Sequence, residues 1–286
     1  MVKQTAKWRP FPHDDADYDY AGAALKRHWK RLHLGDCEPY PDPDHLERLV
    51  AANPGLAPEM PVRKAAGELQ KAWRAYHGGD FGTATTLGLS LGPLGYNVAN
   101  KATVIHATYL EEDPEHKIAL LIDATRRAEE VQAHAEALPN AWYFHAQALG
   151  RYGQELSIPK VLAEGLGDKV KTSLERTLAL EPRHADARIA LGAYNAVVIY
   201  KMGETIGRLT YGASRKASLA HFQSALELNP DSAIARIEYA NGLVMMFGKD
   251  KLDEATALYE EAAAATPADA MERLDVELAR AELEDE

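Results

Sequence analysis

The chain has one cysteine, Cys37, among 286 residues. A lone thiol closes no intrachain disulfide and cannot supply a thiolate-rich metal site, which excludes a disulfide scaffold and fits a reducing compartment. Basic residues are also short: 32 Lys and Arg stand against 43 Asp and Glu, for a net charge of −11. So acidic a chain repels a phosphate backbone, which excludes nucleic acid as the expected partner. No stretch approaches the ~18 uncharged apolar residues of a membrane span, and Met1 to Pro10 lack the apolar run of a signal peptide. The expectation is a cytoplasmic protein, not one integral to a membrane.

The usual marks of catalysis are missing too. A phosphate-binding loop needs two glycines followed by Lys and Ser or Thr, whereas Gly165-Leu166-Gly167-Asp168-Lys169 inserts an aspartate and reads as a turn before a helix. Gly88, Gly92 and Gly95 have the wrong spacing for a dinucleotide fingerprint. Eleven histidines raise a metal question, but His-Glu-x-x-His does not occur. Asp15, Asp17 and Asp19 alternate as at the start of a calcium loop, yet Tyr20 stands where the turn needs glycine and Lys26 where a bidentate Glu belongs. That run reads instead as a solvated acidic arm facing the basic segment Lys26 to His33. Cys37 has His33 four residues before it but no recognisable oxyanion donors, so it reads as an incidental thiol. No enzyme, cofactor or metal is expected.

Helical signals fill the space these absences leave. Prolines at 10, 12, 39, 41 and 43 bracket Tyr20 to Leu34, which predicts extended arms around one helix. From Leu46 onward, alternating β-branched runs are absent, and Ala, Leu, Glu and Arg dominate segments punctuated by Gly and Pro. Three of these segments end alike, at Pro182, Pro230 and Pro267. Five residues before each proline stands a small residue (Thr177, Ala225, Ala262), and eight before it a bulky one (Leu174, Phe222, Tyr259). Those offsets put both on one helical face. Leu149-Gly150, Leu191-Gly192 and Tyr239-Ala240 follow the preceding prolines at nearly constant distance, as small positions where a partner helix can approach closely.

At these residues the chain resembles the tetratricopeptide repeat family, whose unit is a 34-residue helix-turn-helix with small residues at fixed positions and a closing proline. Ala72, Tyr76, Gly79-Asp80-Phe81 and Ala84 match the middle of an earlier unit, while 95–139 is degenerate. The resemblance implies an all-α fold, an antiparallel helix-pair solenoid over residues 61–267. Residues 1–60 form an N-terminal arm and capping region, and 268–286 a charged capping helix, since an open solenoid end needs a polar cover. From small residue to proline, the ideal unit spans 24 residues, whereas Gly150 to Pro182, Gly192 to Pro230 and Ala240 to Pro267 span 32, 38 and 27. The third and fourth units are thus expected to have lengthened helices. Around Gly192 and Tyr211-Gly212-Ala213-Ser214 the spacing is similar to irregular repeats of the regulator-of-microtubule-dynamics family and of the T component of TRAP transporters, in which such a pair shapes a groove or pore.

The resemblance also places the concave lining. It comprises Trp73 and Tyr76 of the early unit, Gln147 and Arg151 of the third, and Asn241 of the fifth, with Tyr200, Arg208 and Tyr211 on the extension after Gly192. Apolar neighbours such as Ile189 and Ile237 make the groove largely apolar with sparse polar groups. Such a lining suits a protein or peptide segment, or alternatively an amphiphilic small molecule or lipid held between the lengthened helices. A chaperone-tail clamp is disfavoured, because the positions that would carry Lys and Asn hold pairs such as Leu69/Trp73 and Ile189/Ala193. Gly203 and Gly207, four apart, are expected on one helical face that lets the extension fold over this groove.

Overall fold

The computed structural model describes residues 8–13 and 18–284, and among them every regular element is a helix. Asp15 and Asp17 of the candidate calcium loop lie outside the described residues; Asp19 accepts a hydrogen bond from Ala21 N (2.8 Å). The chain divides into two compact units, residues 1–27 with 40–166 and residues 28–39 with 167–286.

The first unit holds the start of α1 (Ala24–Leu32) up to Arg27, then α2 (Pro43–Ala52), α3 (Val62–His77), α4 (Phe81–Ser90), α5 (Tyr96–Tyr109), α6 (Pro114–His134), α7 (Pro139–Gln154) and α8 (Ile158–Ala163). Local chemistry sets several of these starts. Asp42, Asp80 and Asp113 accept hydrogen bonds from the first turns of α2, α4 and α6. Pro43, Pro114 and Pro139 occupy first helical positions, where a missing N–H costs nothing. Successive helices pack as antiparallel neighbours, α3 on α4, α4 on α5, α5 on α6 and α6 on α7. Two of the glycines dismissed as a nucleotide fingerprint serve this packing: a Cβ on Gly95 would sit 2.2 Å from Gly88 O, so the two backbones touch. Trp73, Tyr76, Phe81 and Phe144 fill the interior.

The second unit contains α9 (Leu166–Leu180), α10 (Ala185–Met202), α11 (Glu204–Tyr211), α12 (Arg215–Leu228), α13 (Ala233–Phe247), α14 (Leu252–Ala263) and α15 (Ala270–Glu284). The expected proline ends are present: α9, α12 and α14 stop shortly before Pro182, Pro230 and Pro267. Thr177, Ala225, Ala262, Leu174 and Phe222 are buried. Phe222 lies between two glycines, since a Cβ on either Gly192 of α10 or Gly242 of α13 would come within 2.7 Å of its ring. The ring stacks on Tyr239 (centroids 5.1 Å, planes 15°). By contrast, a Cβ on Gly150 would meet nothing within 4 Å.

The added residues are distributed differently from a simple lengthening of paired helices. In the fourth unit α10 runs for 18 residues and then stops, because Gly203 adopts φ +77 and its N–H closes on Ile199 O. The remainder forms the separate helix α11, which folds back on α10 with Gly207 against Val198. Gly203 is thus the breaker and Gly207 the anchor, and they do not share a helical face. In the third unit the addition includes the six-residue α8.

Two residues of the basic segment of α1 have partners on other elements, while most of the acidic arm lies outside the described residues. Arg31 makes two hydrogen bonds to Glu272 of α15 (2.6 and 2.9 Å) and approaches Asp231. Lys26 stands over the Tyr40 ring. The charged last helix is accordingly tied down, with Leu274, Val276 and Ala279 buried.

Candidate functional site

In the first unit the C-terminal ends of α5 and α7 and the first turns of α6 enclose a cleft of about 220 Å³. Buried Ala107 and Leu121 are its apolar lining; Thr108, Lys117, Arg151, Gln154 and Glu155 are its polar lining. The Asp113 cap and Pro114 begin α6, so that Lys117, one turn in, reaches the cleft and lies 3.4 Å from the Glu155 carboxylate. Arg151 Nη1 donates to Gln154 Oε1 at 3.2 Å. Two cations, one carboxylate, an amide and a hydroxyl thus surround a space below the ~300–1,000 Å³ of typical small-molecule sites. It has room for one side chain. Among the described residues, no group of three His, Cys, Asp or Glu could hold a metal ion.

The residues expected to line a groove have varied placements. Arg151 lines the cleft. Gln147, one turn earlier on α7, is half-buried, and its Oε1 has no hydrogen-bond partner. Trp73 and Tyr76 leave the exposed lining altogether. They are in the core of the first unit, packed edge to face at 5.6 Å, because the same helical face that could border a groove is covered here by neighbouring helices. The apolar neighbours Phe144, Ile189 and Ile237 are buried for the same reason, so the reachable part of the lining is more polar than the sequence suggests.

In the second unit Tyr200 is 60% exposed at the end of α10, with Lys201 Nζ 5.1 Å from its ring centroid. Arg208 projects from α11. Tyr211 ends that helix, and its carbonyl accepts from Lys171 Nζ at 2.7 Å. Tyr200 thus precedes the break at Gly203, while Arg208 and Tyr211 lie on α11, where Ile206 and Leu209 are exposed as well. Asn241 lies on α13, accepting a hydrogen bond from Tyr259 OH (2.8 Å).

Cys37 is no candidate nucleophile. It is half-buried, with Sγ 3.6 Å from Arg183 O. Burial, then the carboxylates of Glu181, Asp36 and Asp186, push its thiol up to about 12. The thiolate that would react is therefore scarce at neutral pH.

Neither a family model nor a curated protein matches the chain. Among solved structures, a thermophilic tetratricopeptide-repeat protein of Thermus thermophilus aligns with a TM-score of 0.54 and 18% identity, over 76% of this chain and 99% of that one. The fold is tetratricopeptide-like. At that identity the likeness concerns the fold alone.

Within the tetratricopeptide-like frame, the sequence reading missed Thr108 and Lys117. Both fall in 95–139, where the repeat spacing fails although α5 and α6 form a regular pair. One signal was available: Asp113-Pro114-Glu115 combines an N-cap, a first-position proline and an acidic first turn, which marks a helix start without any repeat. No helix among the described residues is long and apolar enough to cross a membrane.

Proposed function

We propose that the chain is a non-catalytic scaffold that holds a segment of a partner protein, with the cleft at Arg151 as an anchoring point. The observation that supports this reading is the cleft's chemistry: room for one side chain, a mostly polar lining with apolar surface only at Ala107 and Leu121, and Lys117 and Arg151 beside the carboxylate of Glu155. An acidic or amide side chain of a partner matches it. A tetratricopeptide-like fold suits such a role, because stacked helix pairs offer extended surfaces on which neighbouring contacts add.

The test is co-purification from native lysate with the wild-type chain and with Lys117→Glu/Arg151→Glu, followed by mass spectrometry. A partner recovered with the wild type and lost with the double variant supports the scaffold. Equal recovery with both removes the cleft from the reading.

A second reading, an amphiphilic small molecule or lipid, has one observation in its favour. Tyr200, Ile206 and Leu209 expose 60%, 52% and 77% of their surface beside Lys201 and Arg208, a combination of apolar area and positive charge. A lipid recovered by solvent extraction of the purified protein, and lost in Ile206→Ser/Leu209→Ser, would favour it.

A further inference from the structure

An extended piece of the chain's own N terminus crosses the ends of the first unit's helices. Trp8 packs against the first turn of α4, where a Cβ on Gly82 would lie 2.8 Å from the indole Cγ. The same indole covers His106, in the last turn of α5, with ring centroids 4.5 Å apart. Arg9 then pairs with Glu112 in the turn before α6, Nη2 donating to Oε2 at 2.7 Å. Pro10 and Pro12 follow, and they stiffen the stretch into an extended form that loses little entropy on docking.

Two observations distinguish this contact from ordinary packing. His106 is fully buried, yet neither of its ring nitrogens has a hydrogen-bond partner. The nearby Glu111 carboxylate lies 3.9 Å from Nε2 and is engaged elsewhere, with His116 Nδ1 (2.5 Å) and Asp113 N (2.9 Å). Trp8 therefore covers a polar group that it does not satisfy, an arrangement that favours any ligand offering the imidazole a hydrogen bond. The second observation is the weakness of the rest of the grip. Trp8 is only half-buried, and the Arg9–Glu112 pair is exposed, Glu112 by 76%, where an ion pair contributes little.

We propose that the seat formed by Gly82, His106 and Glu112 is a second peptide-binding site, held shut in cis by Trp8 and Arg9. Its ligand is an extended, proline-containing segment of a partner protein that carries an aromatic residue followed by a basic one. The aromatic ring fills the glycine-floored seat, the base meets Glu112, and a polar atom of the ligand meets His106. The proposal rests on the reading of the chain as a protein-segment scaffold and adds a site, a ligand pattern and a regulatory contact. A tethered occupant competes at high effective concentration, so the measured affinity for a free peptide falls by the fraction of chains whose seat is open.

The test uses the full-length chain and a fluorescein-labelled hexapeptide of residues 8–13, Trp-Arg-Pro-Phe-Pro-His, followed by anisotropy. Trp8→Ala is expected to bind the peptide ~10-fold or more tightly than wild type, and adding Gly82→Leu should abolish the gain. Equal affinity in wild type and Trp8→Ala, or a gain that survives Gly82→Leu, overturns the proposal. If circular dichroism shows that Trp8→Ala is unfolded, the exposed Glu112→Lys decides. It should prefer the charge-swapped peptide Trp-Glu-Pro-Phe-Pro-His over the native one by ~3-fold or more, and no preference overturns the site. Lys117→Glu/Arg151→Glu should leave hexapeptide binding unchanged. A seat that fails while the cleft variant still loses a partner refutes the strap alone; a seat that works while the cleft variant keeps its partner refutes the cleft alone.

Discussion

Leu149-Gly150 and Leu191-Gly192 read alike in the sequence, and replacing either glycine with alanine should move stability in opposite directions. In a helix interior, Gly→Ala gains about 1 kcal/mol of intrinsic propensity wherever the new methyl group finds space. At Gly150 it finds space, because nothing stands within 4 Å of the added Cβ. At Gly192 the methyl would arrive 2.7 Å from Phe222, roughly 1 Å inside the ~3.5–4.0 Å of ordinary carbon contact. The ring has no route of escape on its other side, since Gly242 is equally close there. Overpacking of a rigid core costs about 1–3 kcal/mol, and with both faces of the ring blocked the upper part of that range applies, which outweighs the propensity gain and leaves Gly192→Ala up to about 2 kcal/mol less stable than wild type. Gly150→Ala should gain about 0.5–1 kcal/mol.

Urea unfolding followed by far-ultraviolet circular dichroism measures both. Adding Phe222→Leu to Gly192→Ala should recover part of the loss, with a coupling of about 1 kcal/mol or more in the double-mutant cycle. A shift of the same sign at both glycines would refute the reasoning, because backbone propensity alone would then explain them.

Four further outcomes follow from the packing and charge already described. Burial lowers His106 to about 4, despite the opposing Glu111 carboxylate and with His116 and Arg9 nearby. The unfolded chain, with an ordinary value near 6.5, therefore binds more protons between these limits, and stability present above pH 6.5 is lost as pH falls toward 4. The loss is about 1 kcal/mol from pH 7 to 5.5, and His106→Leu should lack that slope in urea titrations at the two pH values. Gly207→Leu should lower the melting temperature while leaving helicity nearly intact, because even a Cβ at this position lies 3.2 Å from Val198; an unchanged melting temperature would mean that α11 is not held by this contact. Arg31→Ala should cost about 1–3 kcal/mol in urea unfolding, since it leaves Glu272, whose pKa burial already raises, without its guanidinium partner; truncation before Met271 should be worse and yield aggregated protein by light scattering. Cys37 should react with iodoacetamide at pH 8 about a hundredfold more slowly than a free peptide thiol, and a normal rate would contradict its raised pKa.

The repeat was legible because its signals are local. Pro182, Pro230 and Pro267 end helices by removing a donor and fixing φ, whatever surrounds them, and the small and bulky residues five and eight places earlier share a face by helical geometry alone. What covers a face is not local. Trp73 and Arg151 occupy equivalent positions of two first helices, yet one is core and the other lines a cleft. The stop at Gly203 was hidden for a related reason, since glycine is compatible both with a close helix contact and with the left-handed turn it adopts. Trp8 and His106 show the limit plainly, being brought together across nearly a hundred residues with no periodicity to announce the contact.

The added residues illustrate how an irregular repeat can vary without losing its core. Lengthening both members of a packed pair would require new apolar partners along the whole extension, or else expose it at about 25 cal/mol for each Å² left in water. An insertion between the first and second helix avoids that requirement, because the helices on either side keep their faces. Both α8 and α11 lie in such positions in chain order, and each meets water with two large aliphatic residues, Ile158 and Leu162 in one, Ile206 and Leu209 in the other. Neither insertion could have been placed by adding residues to a helical wheel, since each begins after a break that resets the phase. The two inserted helices are therefore less constrained by packing than the pairs they join, and the exposed apolar surface they carry is not needed to hold those pairs together.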